Sequence, residues 1–88
     1  MQNPQTNQNY ANDLKTKLGL RETPVVFTTI DRAMSFARHG TKTVWVAMLD
    51  CPLAAIVYRA RDVEKLEAAG YEVPFAICAS LTLARASR

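Results

Sequence analysis

Short apolar runs alternate with helically spaced apolar positions along most of this chain. The runs Val25–Ile30, Thr43–Met48, Ala55–Tyr58 and Tyr71–Ile77 are rich in β-branched and aromatic residues and read as strands. Between the first two, Ile30, Ala33, Met34 and Ala37 form one helical stripe, with Thr29 or Asp31 as N-cap. Arg38 and His39 suit the C-terminal dipole of that helix, and Gly40 stops it. Between the last two strands, Val63, Leu66 and Ala69 make a second stripe, opened by Asp62 as cap and closed by Gly70. Ahead of the first strand, Tyr10, Ala11, Leu14 and Leu18 predict a further short helix. Asn9 is its cap, Gly19 its left-handed terminator and Leu20 the hydrophobic contact. Thr23-Pro24 then forces an extended entry into the first strand.

The order β-α-β-β-α-β predicts an α+β domain, a ferredoxin-like sandwich with an additional short N-terminal helix. Pro74 lacks the N–H that a central strand donates, which predicts that the last strand lies at a sheet edge. Phe75, Ile77, Ala79, Leu81 and Leu83 alternate, so residues 78–88 read as a continuation of that strand; their Ala/Leu/Arg content also permits a short helix. An overhanging strand would call for a partner edge.

The middle strands carry the clearest message. Val-Trp-Val-Ala-Met and Ala-Ala-Ile-Val-Tyr are apolar on both faces, the pattern of a sheet covered on both sides. The N-terminal helix, the C-terminal segment and a second subunit are the candidate covers. A four-residue loop over Asp50–Leu53 would set Leu49 opposite Ala54 and Trp45 opposite Tyr58, whereas an odd loop would swap the parity. In the first register Trp45 and Tyr58 share one face, a candidate self-association surface.

Composition narrows the class. The 88 residues allow one domain, read as 10–88 behind a polar, Asn/Gln-rich and flexible tail over 1–9. A domain this small has a thin stability margin, which a partner subunit would widen. The first residues lack the basic and apolar regions of a signal peptide, and no apolar stretch is long enough to span a bilayer. Cys51 and Cys78 form no paired motif and read as reduced thiols, so the expected location is the cytoplasm. The net charge of +3 permits weak attraction to polyanions without demanding it.

Candidate chemistry is sparse. Phe27, Trp45, Tyr58 and Phe75 place one aromatic on each strand, as RNA-binding sheets do, yet the basic-Gly-aromatic run of such sheets is missing from the third strand. Lys42, Arg59 and Arg61 form the best basic cluster, suited to a phosphate, a carboxylate or an acidic surface. A single histidine, His39, makes no multi-histidine metal site. Asp50 beside Cys51 disfavours a reactive thiolate there. The glycines stand at helix ends and form no phosphate-binding loop. No catalytic, cofactor or metal site is expected. The expected function is a small, non-enzymatic protein-interaction module that self-associates, or docks on a larger protein, through the open sheet face or the last strand. The alternative is a weak nucleic-acid-binding accessory protein using the Lys42, Arg59 and Arg61 cluster. Trp45 and Tyr58 are the other interaction candidates.

Overall fold

The computed structural model describes residues 4–40, 42–50, 52–78 and 81–85, with side chains from residue 8 onward. The elements run α1 (Pro4–Leu18), β1 (Val25–Phe27), α2 (Ile30–Arg38), β2 (Val44–Met48), β3 (Ala54–Val57), α3 (Ala60–Ala68), β4 (Glu72–Cys78) and β5 (Leu81–Ala84). The expected helices and strands are all there. α1 starts at Pro4, earlier than the expected Tyr10, so most of the polar segment read as a tail is helical. Proline is well suited to a first helical turn, where its missing N–H has no intrahelical partner to lose.

The fold is α+β, with three helices and one open antiparallel sheet in the order β1-β3-β2-β4-β5. This corrects the ferredoxin-like order, in which the fourth strand lies beside the first. Here β4 pairs with β2. The consequence follows from handedness. β1 and β3 run in opposite directions. The crossovers β1-α2-β2 and β3-α3-β4 both step the same way along the sheet. With one hand of crossover, that puts α2 and α3 on opposite faces rather than together.

Two apolar layers result. On one face α1 and α3 supply Ala11, Leu14, Val63 and Leu66 against Val26, Ala47, Ala55, Val57 and Val73, with Trp45 packed at the border. On the other, Ala33 and Ala37 of α2 sit on Val44, Val46, Ala54, Ile56 and Ile77. The two-sided apolar pattern of β2 and β3 is therefore satisfied within one chain. Small residues at positions 33 and 37 let α2 approach the sheet closely.

The helix ends are built from backbone logic. Thr29 Oγ1 accepts from the Arg32 amide at 3.3 Å and caps α2. Gly70 (φ +98°) ends α3, where the Tyr71 amide donates to the Leu66 carbonyl and the Gly70 amide to that of Glu67. Gly19 (φ +69°) ends α1 in the same left-handed conformation. α3 is capped by Arg59 and not by the expected Asp62, which falls inside its first turn.

Two strand expectations are corrected. β4 is interior, paired on both sides, despite Pro74. The β2–β4 register shifts between Val46 and Met48, so Val73 and Pro74 together oppose Ala47. The Pro74 carbonyl accepts from the Arg85 amide at 2.8 Å, so its nitrogen also faces β5, and the donor it lacks falls opposite Arg85, one residue past the end of that strand. The alternation from Phe75 to Leu83 is not one long strand. It folds back after Cys78, and β5 pairs antiparallel with β4, Cys78 opposite Leu81.

Candidate interaction surface

β5 is the last strand of the sheet, and all its residues are exposed. Leu81 is 67% and Leu83 52% exposed, the most exposed large hydrophobic side chains among the described residues. Paired residues in an antiparallel ladder point to one face. Leu83 opposes Ala76, and Ala76 opposes Trp45, which in turn opposes Val57. These four residues make one row across the sheet on the α1/α3 face. α3 covers the row at Val57, and it emerges into solvent at Leu83. Thr82 and Ala84 oppose Ile77 and Phe75 and so belong to the α2 face.

The backbone of β5 is equally ordered. The Arg85 amide donates inward, to the Pro74 carbonyl. Strand alternation then turns the N–H and C=O of Leu81 and Leu83 toward β4, and those of Thr82 and Ala84 outward. No described residue pairs with that outer edge. The opposite edge is different: β1 has three residues, follows Pro24, and is packed by α1. Short length and an adjoining proline are the usual guards of an edge; β5, at four residues, has no proline in it and no charge between Leu81 and Ala84.

β5 is anchored from behind. Arg85 Nη1 donates to Glu67 Oε2 of α3 at 3.0 Å and to the Val73 carbonyl at 2.8 Å. On the other face Arg38 Nε of α2 lies 3.5 Å from Thr82 Oγ1. An open groove of about 660 Å³ runs beside α2, lined by Ile30, Met34, Arg38, His39 and Phe75 among others.

The residues singled out from sequence separate in space. Trp45 and Tyr58 are not a pair. Trp45 opposes Val57, because the β2–β3 connection takes the odd length, residues 50–52. The Leu53 amide closes that turn on the Asp50 carbonyl at 2.8 Å, and the Leu49 amide donates to the Leu53 carbonyl. A one-residue change of register sends the neighbouring side chain to the other face, so Trp45 packs under α1 and α3 while Tyr58 packs on the α2 side. Lys42, Arg59 and Arg61 gather at one end of the sheet, all exposed. Arg59 is paired with Glu22 at 3.5 Å. Burial, then the charge of Glu22, raises the pKa of the nearby Tyr58 hydroxyl.

The remaining chemistry is structural. His39 Nδ1 lies 2.7 Å from the Ser35 carbonyl, which makes Nδ1 the donor. Cys78 is free and exposed, 3.3 Å from Thr43 Oγ1, and Cys51 lies outside the described residues. Among the described residues no cluster of His, Cys, Asp or Glu is placed to hold a metal ion, and no helix is long and apolar enough to cross a membrane. Sequence reasoning missed the discrete β5 edge. Its signal, the alternating leucines after Cys78, is present, but no glycine, proline or asparagine between Ile77 and Leu83 breaks the alternation. The chain matches no protein-family model, no curated protein and no solved structure.

Proposed function

We propose that this protein is an interaction module that self-associates, with β5 as its contact element. The observation that carries the reading is an edge strand without charge or proline that bears two exposed leucines, Leu81 and Leu83. The two-sided apolar pattern of β2 and β3 no longer argues for a partner over the sheet face, since α1, α3 and α2 supply that cover. The demand that remains is at the edge, where outward backbone groups and leucines meet water together. Strand addition satisfies both at once: ladder bonds supply affinity, and alternate side chains supply selectivity. The basic cluster gives the nucleic-acid alternative little support, because Glu22 already neutralises Arg59.

Sedimentation velocity over a concentration series, at low and high salt, tests the proposal. The expected result is a sedimentation coefficient that rises with concentration and keeps rising in high salt, since apolar burial is not screened as charge pairing is. A single monomer value at every concentration refutes it.

A further inference from the structure

Resting on that self-association, we infer that the partner is a second copy of this chain, joined β5 to β5 in antiparallel fashion about a two-fold axis through Leu83. The register follows from three constraints. First, a two-fold perpendicular to the sheet keeps like faces together, so each β5 residue opposes one of its own parity. Leucine positions meet leucine or arginine positions, and Thr82 meets Thr82 or Ala84. Second, the outward groups belong to Thr82 and Ala84, whose inner neighbours Leu83 and Arg85 face β4. Pairing Thr82 of each copy with Ala84 of the other gives every outward N–H and C=O of the two residues a partner. Centring the axis on Thr82 instead would leave the outward groups of Ala84 without a partner within Leu81–Ala84.

Third, this register puts Leu83 against Leu83 across the axis in a non-hydrogen-bonded position, where side chains approach most closely. The Val57, Trp45, Ala76, Leu83 row then continues without interruption into the same row of the second copy. Ala76 leaves room beside each leucine, so Trp45 stands behind the contact in both copies. Leu81 falls opposite Arg85. That arginine brings no stray charge into the contact, because its guanidinium is turned back onto Glu67 and the Val73 carbonyl; its aliphatic stem is what Leu81 meets. The segment from Leu81 to Ala84 is uncharged, so no like charges oppose one another at the join. β1 offers no such self-match, being short and covered by α1. The contact is small, so the dimer is expected to be a weak, exchanging one.

The experiment compares the full chain with Ala84→Pro, Leu83→Lys and Leu83→Glu by sedimentation velocity, with circular dichroism as a check on folding. The Ala84 amide points away from β4, so proline there removes an outward donor and no internal bond. Ala84→Pro is expected to sediment as a monomer with an unchanged spectrum. Leu83→Lys and Leu83→Glu are each expected to be monomeric, because like charges meet on the axis, and their equimolar mixture to regain association. If Ala84→Pro associates like the parent chain, another surface mediates the contact: this inference falls together with the choice of β5, and self-association alone stands. If the single charge variants separate but their mixture does not rejoin, the axis is not at Leu83. A parent chain monomeric throughout removes the functional proposal itself.

Discussion

Asp62 is 1% exposed, and its two carboxylate oxygens accept the amides of Arg21 and Glu22 at 2.9 and 3.2 Å. It ties the α1–β1 connection to the first turn of α3, while Lys65 Nζ, one turn on, reaches the Gly19 carbonyl. Replacing Asp62 by alanine leaves two part-buried amides unmatched, and a loss of about 1 kcal/mol or more in chemical denaturation is expected. An effect within the noise of a surface substitution would mean the connection finds other partners. Tyr10, midway along α1, supplies a pH-dependent counterpart. Burial, and then its 3.0 Å hydrogen bond to the Asp50 carboxylate, raise the pKa of its hydroxyl from 10.0 to about 12. The folded chain thus holds this proton more tightly than the unfolded one. Its contribution is complete below pH 10 and is lost as pH climbs through about 12. Thermal melts across that window should fall less steeply for Tyr10→Phe than for the parent, with Tyr58 accounting for some of the remaining slope. Identical slopes would dismiss the assignment. From the sequence, Asp62 is visible only as a helix-opening acid; its longer-range role depends on the loop that packs over it.

Among the elements, β5 depends most on tertiary anchors. Every side chain in it is exposed, so β4 pairing and the Arg85 contacts with Glu67 and Val73 hold it in place. Arg85→Ala should lower protection of the β5 amides against hydrogen exchange by roughly tenfold, the equivalent of about 1.4 kcal/mol, within the range of a hydrogen bond to a charged group. Amides of β2 and β3 should keep their protection; a uniform loss across the sheet would indicate global destabilisation. The same region shows how periodicity and connectivity come apart. The alternation after Phe75 correctly implied β structure, because period two is a local property of the backbone. Where one strand ends and the next begins is not a property of period two, since β4 and β5 carry the same alternation. Pro74 likewise signalled an edge, but the donor it lacks faces β5 just past the end of that strand, so the interior position costs no bond within β5.

At the level of the molecule, strand order decided most of what the surface can do. A fourth strand beside β1 would have left one sheet face bare. Placed beside β2, it carries α3 to the face opposite α2, and α1 joins α3 there. The apolar doubling of β2 and β3 was the sequence trace of this arrangement: it required cover on both sides without identifying the cover. The proposed interaction surface moved accordingly, from the Trp45/Tyr58 face to the rim of the sheet. Helix and strand identity, the left-handed stops at Gly19 and Gly70, and burial on both sides of β2 and β3 could all be read from the chain alone, since each depends on spacing or on one residue's steric limits. Strand order, the odd turn that divides Trp45 from Tyr58, and the exposure of Leu81 and Leu83 emerged only on folding. They depend on which distant segments compete best for the same edge and the same face, and no local spacing encodes that competition.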